Sequence, residues 1–406
     1  MTERTVIAGA GHAAGQVVAT LKQLKYSGQI VLVGDEVYLP YQRPPLSKKF
    51  LAGAMPAERL HFKPASFYDE PNIEIRLRTR ITTIDRDNKS VHTEGGERIS
   101  YDKLVLALGS RARRLRIDGA DLAGVHYLRS IADVDDIRSE LNHYRRTVII
   151  GAGYIGLEVA AVMQQQGLDV TVVELADRVM SRVVSPEISD FYQIEHTNQG
   201  VKLRLSTSVS AFRGDKRIAS VETTDGEQIP ADFVVVGIGI VANTELAASA
   251  GLTVDNGIVV NDQCETSDPA VYAVGDCTAH PNAIYNRQLR LESVHNALEQ
   301  AKTAAANICG KETHYSQVPW FWSDQYDLKL QIAGLSEGYD EIVIRGNPAD
   351  RSFACLYLKN GQLIATDAVN APREFVQSKG LIASHAKIDP ARLADTDIPL
   401  QDAVIC

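Results

Sequence analysis

The sequence predicts an α/β protein carrying two dinucleotide-binding units, on three observations. A succession of strand, glycine-rich turn, helix, strand and acid occurs near the N-terminus. The same succession recurs in mid-chain, and later strands ending in glycine provide passages between the two units. Val6-Ile7-Ala8 reads as a buried strand, followed by Gly9-Ala-Gly11-His-Ala-Ala14-Gly15 and a helical stretch to about Lys25. The next strand, Gln29 to Val33, ends at Gly34-Asp35-Glu36. Gly9 allows the tight turn, and Gly11 lets backbone N–H groups approach a pyrophosphate. Ala14 is small enough for close packing of helix on strand, and the helix N-terminus favours the anion. Asp35 is placed to accept hydrogen bonds from an adenosine ribose, with Glu36 the second choice.

The second unit starts with Thr147-Val-Ile-Ile150 and continues through Gly151-Ala-Gly153-Tyr-Ile155-Gly156-Leu-Glu158. A helix to about Gln166 and a strand from Val170 to Val173 lead to Glu174. One glycine turn of this kind can simply join a strand to a helix. Two complete units with acids in place indicate two dinucleotides, and the commonest pair is FAD with a nicotinamide nucleotide. The segment from Tyr101 to Arg111, with its turn at Gly109, is suited to carry the chain from the first unit to the second. Ala231 to Gly239 reads as its counterpart on the way back, so the second unit is inserted in the first and returns near residue 241. A further strand runs to Gly275-Asp276. In two-dinucleotide flavoproteins an Asp so placed reaches the ribityl chain of FAD.

Composition narrows the class. The 406 residues suggest two to four domains, and a hydrophobic content of 45% excludes disorder over most of the length. A net charge of -9 argues against a nucleic-acid binder. No apolar run approaches the roughly 18 residues of a membrane span, and Met1 to Arg4 lacks the start of a signal peptide. The five cysteines, Cys264, Cys277, Cys309, Cys355 and Cys406, form no C-x-x-C pair. That speaks for a reducing cytoplasm and against a zinc site or a disulfide framework.

Across nearly the whole chain, in order, the sequence resembles the putidaredoxin reductase-like family of FAD-containing reductases of bacterial 2Fe–2S ferredoxins. The stretches that carry the resemblance are Pro40-Tyr-Gln-Arg43-Pro-Pro-Leu-Ser-Lys48, Gly151-Ala-Gly-Tyr-Ile-Gly-Leu-Glu-Val, Asp255-Asn-Gly-Ile-Val-Val, Val274-Gly-Asp276-Cys, Glu292-Ser-Val-His-Asn-Ala-Leu-Glu-Gln and Pro319-Trp-Phe-Trp-Ser-Asp-Gln-Tyr. His295 stands where the family pattern has proline. The resemblance implies a glutathione-reductase-like fold: two Rossmann-like dinucleotide-binding domains plus a C-terminal α+β domain. Residues 1–112 and 242–318 would form a discontinuous FAD domain, 113–241 the NAD domain and 319–406 the C-terminal domain. By motif position it implies FAD contacts at Ala14, Asp35, Lys48, Ile81, Arg129, Asp276 and Val294, with Ile81 and Val294 acting through their backbones. Gly9, Gly11, Gly15, Arg43 and Trp320 complete that set. Gly151, Gly153, Ile155, Gly156, Glu158, Glu174, Arg182 and Gly239 form the nicotinamide-nucleotide set.

Several relatives of this fold pass electrons through protein sulfur: disulfide reductases through a cysteine pair, NADH peroxidases and oxidases through one cysteine shortly after the first nucleotide unit. Tyr38 to Phe50 contains no cysteine, and the first in the chain is Cys264. A flavin-to-disulfide route has no nucleophile in place, so electrons leave the flavin directly, as suits a one-electron acceptor. Cys277 reads as a small buried packing residue. Hydride transfer from NADH needs the nicotinamide positioned against the flavin, with protein charge tuning it. The resemblance puts Lys48 beside the flavin and Glu158 in a pair with it, holding the nicotinamide amide. Spacing alone reads them as a surface lysine and an ordinary N-terminal helix acid. Glu174 favours a ribose 2′-OH and repels a 2′-phosphate, pointing to NADH, while Arg178 and Arg182 are placed for phosphate.

Trp320 and Trp322, two apart in an extended segment, face the same way. Either one covers the flavin and the other a partner surface, or both are core residues. An acidic ferredoxin would need a local basic patch, and the docking candidates are Lys48, Lys49, Arg287, Arg290 and Lys302, with Trp322. The run Arg111, Arg113, Arg114, Arg116 reads as a solvated linker or a nucleotide-phosphate surface. The expected activity is NADH:ferredoxin oxidoreduction, with hydride passing to FAD and single electrons to a 2Fe–2S ferredoxin that feeds an oxygenase. A rubredoxin reductase shares the fold and most motifs. A slow NADH sensor of the apoptosis-inducing-factor type would carry basic insertions, which this acidic chain lacks.

Overall fold

A computed structural model describes residues 3–405; Cys406 and the first two residues of the N-terminal reading lie outside them. The chain divides into two compact units. One comprises Met1–Arg43, Ala57–Arg111 and Val241–Pro319, the other Pro44–Pro56, Ala112–Ile240 and Trp320–Cys406. The C-terminal sheet thus groups with the second nucleotide unit, and so does the short segment Pro44–Pro56.

The first unit is built on a five-stranded parallel sheet in the order Val271–Ala273, Lys103–Leu106, Arg4–Ala8, Gln29–Val33, Ile73–Arg76. All but the edge strand Ile73–Arg76 are largely apolar on both faces, as parallel strands covered on both sides must be. Ile7, Ile30, Leu32 and Val105 pack with the helices His12–Gln23 and Val294–Ile308. Their neighbours Val6, Ala8, Val31, Val33, Leu104 and Leu106 turn the other way, against Ile84, Val91, Ile99, Ala247 and Leu252. Period-two alternation therefore serves two cores at once.

The second unit holds a parallel sheet in the order Lys202–Arg204, Asp169–Val173, Arg146–Ile150, Phe233–Val236, Val125–Tyr127. It also holds a five-stranded antiparallel sheet ordered Trp320–Gln325, Leu328–Gly334, Gln362–Val369, Ser352–Lys359, Glu341–Asn347. The helix Pro372–Ala383 packs on this second sheet.

Asp367, on the central strand of the antiparallel sheet, is 1% exposed. Tyr357 donates its hydroxyl to Asp367 Oδ2 at 2.6 Å. Burial pushes this carboxyl up to about 7, against the opposing pull of the Tyr357 hydrogen bond. The folded state then keeps a proton that the unfolded chain releases near pH 3.8. Its contribution is complete below that value and lost as pH rises through the folded value. Asp367→Asn, which stays neutral, should therefore gain stability relative to wild type as pH rises from about 4 to 7, by up to about 1.4 kcal/mol per pH unit. Urea unfolding of both proteins across that range checks this; a difference independent of pH contradicts it.

Candidate functional site

Both glycine turns are sterically obligatory. Gly9 has φ +116°, and a Cβ there would lie 2.2 Å from the Ala107 carbonyl oxygen. Gly151 has φ +102°, with the Gly237 carbonyl oxygen 2.5 Å from such an atom. Two residues on, Gly11 and Gly153 cap the helices His12–Gln23 and Tyr154–Gln165. A Cβ at either meets nothing within 4 Å. No side chain caps either helix, and neither has an acid in its first turn. The N-terminal N–H groups are thus offered to an anion that can approach closely, as a dinucleotide pyrophosphate does. Ala14 is fully buried, and Gly15 leaves no room for a Cβ against Pro40 and Phe62, each 2.9 Å away. At Gly156 a Cβ would press within 2.0 Å of the Gly151 carbonyl, while Ile155 beside it is exposed.

The acids after the two units differ. Asp35 is exposed just past its strand. Glu36 is already engaged: it accepts from the Tyr41 hydroxyl at 2.6 Å and from Arg43 Nη2 at 2.5 Å, and Arg43 Nη1 also donates to the Tyr41 oxygen at 2.9 Å. That leaves Asp35 the better placed of the two for a ribose. Glu174 accepts from the backbone N–H groups of Ala152 at 2.6 Å and Ala176 at 2.9 Å, and so ties its own glycine turn to the loop that follows it. Arg178 requires a correction. It donates to the carbonyls of Ser181 and Val184 and to Ser189 Oγ, so its guanidinium is spent on the fold rather than free for phosphate. Arg182 is exposed, and its Nη2 lies 3.6 Å from where a Gly239 Cβ would stand.

Elsewhere in the first unit, Asp276 Oδ2 accepts from Ser110 Oγ at 2.8 Å. Ile81 begins the strand Ile81–Asp85, and Val294 begins the helix Val294–Ile308, whose Ser293 cap accepts from the Asn296 N–H at 3.1 Å. In the second unit, Arg129 donates its backbone N–H to Asp133 Oδ2 at 3.0 Å, just before the helix Ile131–Leu141.

The decisive geometry lies in the second unit. Lys48 Nζ donates to Glu158 Oε2 at 2.7 Å, across 110 residues of sequence. The two side chains are only 16% and 4% exposed. Two serines that sequence reasoning did not single out complete the shell: Ser47 Oγ donates to Glu158 Oε2 at 2.5 Å and Ser323 Oγ to Oε1 at 2.6 Å. A buried carboxylate held by one ammonium and two hydroxyls is compensated for its lost hydration and fixed in orientation. The reading of Lys48 and Glu158 as unrelated surface groups is therefore set aside. Lys48 also leaves the docking candidates, because its charge is turned inward onto Glu158.

Trp320 and Trp322 do share a face, with ring centroids 5.4 Å apart, and both are half-buried, so neither is a core tryptophan. Phe375 meets Trp320 edge-on at 5.7 Å. Among the remaining docking candidates, Lys49, Arg287 and Lys302 are exposed. Lys302 pairs with Glu299 at 2.6 Å and Arg290 with Glu292 at 2.5 Å, which offsets their charge locally.

Residues 3–301 match the pyridine nucleotide-disulphide oxidoreductase family, and residues 320–404 match the reductase C-terminal family. The chain belongs to the pyridine nucleotide-disulphide oxidoreductases. It is 44% identical to the 5,5'-dehydrodivanillate O-demethylase ferredoxin reductase subunit of Sphingobium sp. (strain NBRC 103272 / SYK-6), over 98% of this chain and 97% of that one. It is 42% identical to putidaredoxin reductase CamA of Pseudomonas putida, over 99% and 97% of the two chains. A crystal structure of the covalent putidaredoxin reductase–putidaredoxin complex superposes with a TM-score of 0.96 at 42% identity, covering 99% of this chain and 98% of that one. The protein is accordingly a putidaredoxin reductase-like flavoprotein oxidoreductase using FAD and a nicotinamide nucleotide.

The residues present suit both nucleotides: two uncapped helix N-termini over open glycines, with an exposed or backbone-held acid after each. The disulfide chemistry in the family's name has no counterpart among the described cysteines. Cys264, Cys277 and Cys355 are buried, and Cys309 is also a free thiol. Cys277 is fully buried, and burial pushes its thiol up to about 11, as suits a packing residue rather than a nucleophile.

Proposed function

We propose that this protein is a cytoplasmic NADH:ferredoxin oxidoreductase that supplies a 2Fe–2S ferredoxin serving an oxygenase. The observation that carries the proposal is the buried Lys48–Glu158 pair in a chain whose described cysteines are all unpaired. Residues 1–112 and 242–318 form the FAD domain, 113–241 the NAD domain, and 319–406 the C-terminal domain. Bound FAD would supply the chemistry, taking up hydride from NADH and giving up single electrons. The chain's part is to bind, orient and exclude water. Gly9, Gly11, Ala14 and Gly15 hold the FAD pyrophosphate, Asp35 its ribose and Asp276 its ribityl hydroxyls. Arg43, Ile81, Arg129, Val294 and Trp320 line the same cofactor. Gly151, Gly153, Ile155, Gly156, Arg182 and Gly239 receive the nicotinamide nucleotide, with Glu174 on its ribose. Lys48 supplies a fixed cation that favours electron-rich flavin, and Glu158 orients both Lys48 and the nicotinamide amide.

NADH should be preferred over NADPH. Glu174→Ala should narrow that preference by removing repulsion of a 2′-phosphate. Because Glu174 also ties down Ala152, the same change should weaken binding of both nucleotides. Equal use of both by the wild type contradicts the assignment. The acceptor is tested by NADH-driven reduction of cytochrome c with a panel of 2Fe–2S ferredoxins and rubredoxins. Strong dependence on a 2Fe–2S ferredoxin is expected; dependence on rubredoxin alone would make the protein a rubredoxin reductase.

A further inference from the structure

Glu158 is the end of a longer chain of buried polar groups, all within the second unit. The strand Trp320–Gln325 turns Trp320, Trp322 and Asp324 to one face and Ser323 and Gln325 to the other. Ser323 and Gln325 are fully buried, and His196, from the helix Pro186–Asn198, is 1% exposed. Ser323 Oγ lies 2.6 Å from Glu158 Oε1, Gln325 Nε2 3.1 Å from Ser323 Oγ, and His196 Nε2 2.8 Å from Gln325 Oε1. The Tyr326 hydroxyl follows, 3.2 Å from His196 Nδ1.

The chemistry of the groups fixes the direction of every bond. An ionised carboxylate only accepts, so Ser323 spends its single hydrogen on Glu158. Ser323 Oγ must then accept, which puts the amide nitrogen of Gln325 toward it and the amide oxygen toward His196. That oxygen only accepts, so His196 carries its proton on Nε2. Burial pushes the His196 pKa down to about 4, so the ring is neutral, Nδ1 is an acceptor and Tyr326 donates to it. Four hydrogen bonds thus point one way and end on one carboxylate oxygen, each polarising the next.

We infer that Ser323, Gln325 and His196 are positioning residues, a one-way relay through which the strand Trp320–Gln325, backed by the helix Pro186–Asn198, holds Glu158 in its working orientation. The inference rests on the role given to Glu158 above. Lys48 and Ser47 hold one oxygen of the carboxylate, and the relay holds the other. With one side released, the carboxylate could still bind Lys48 but would rotate about it.

Two measurements test this. In the oxidised, FAD-loaded protein without NADH, selective 15N labelling of histidine should show His196 neutral with its proton on Nε2 from about pH 5 to 8. A proton on Nδ1 overturns the relay, and this readout needs no variant to fold. In stopped-flow reduction by NADH, Ser323→Ala should lower the limiting rate about tenfold, as loss of one charge-assisted hydrogen bond can. The dissociation constant for NADH should change little, and Ser323→Thr, which keeps the hydroxyl, should restore the rate. If Glu158→Gln slows flavin reduction while Ser323→Ala does not, the relay falls and the role of Glu158 stands. If neither variant slows it, the role of Glu158 falls and takes the relay with it.

Discussion

Glu158→Gln should slow the reduction of bound flavin by NADH about a hundredfold, the scale of losing one preorganised charged group at a reacting site. The carboxylate accepts from Lys48, Ser47 and Ser323 at once. A glutamine has one acceptor oxygen, and its NH2 group would face donors on the other side. Lys48, only 16% exposed, would lose its counter-charge. Anaerobic stopped-flow measures the rate, and FAD content per chain should be unchanged. Lys48→Met should slow the same step, and the double variant should be no worse than the slower single one, because the pair acts as a unit. A rate for Glu158→Gln within about threefold of wild type would remove the pair from the reaction.

The largest stability effect should come from Arg345, far from that pair in sequence. It sits on the strand Glu341–Asn347 with its side chain 2% exposed. Its guanidinium donates to the carbonyls of Leu393 at 3.1 Å, Thr396 at 3.2 Å and Ile398 at 2.9 Å, and to that of Asp395, with Glu374 alongside at 3.4 Å. One side chain thus organises the turn between the helix Pro390–Ala394 and the last 3-10 helix, Leu400–Ala403. Arg345→Ala strands those carbonyls and leaves a cavity, so it should cost about 3–5 kcal/mol, or roughly 10 °C in melting temperature. Arg345→Lys should recover only part of this, since an ammonium cannot reach so many acceptors in one plane. A melting temperature for the alanine variant within about 2 °C of wild type would show that the turn holds itself.

What could be read from the sequence is what depends on local chemistry. The glycine turns, the acids at Asp35 and Glu174 and the alternation of Trp320 with Trp322 follow from backbone sterics and strand periodicity, so they precede any tertiary structure. Lys48 and Glu158 were not of this kind; their spacing alone suggested two unrelated surface groups, and only the family motifs brought them together. Ser47 and Ser323 went unnoticed because a serine carries no signal until its neighbour is known. A hint did exist in the strand Trp320–Gln325, which places Ser323 and Gln325 on one face, an arrangement unusual for buried positions. His196 meets Gln325 across 129 residues, a pairing set by topology alone. Arg178 was misjudged for the converse reason. An arginine near a nucleotide motif suggests phosphate, but nearby backbone carbonyls claimed it first. Arg345 offered nothing, since most of its partners are main-chain atoms on a distant turn.

The proposed function requires electrons to pass from NADH to FAD and out again without stopping on protein sulfur. Anaerobic titration of the FAD-loaded enzyme with NADH, following flavin absorbance, tests it most directly by counting reducing equivalents. The unpaired thiols of Cys264, Cys277, Cys309 and Cys355, the described cysteines, predict full bleaching at one NADH per FAD, with the same number of free thiols before and after. An end point at two NADH per FAD, with two new thiols appearing, would reveal a redox-active disulfide and rule out direct exit from the flavin.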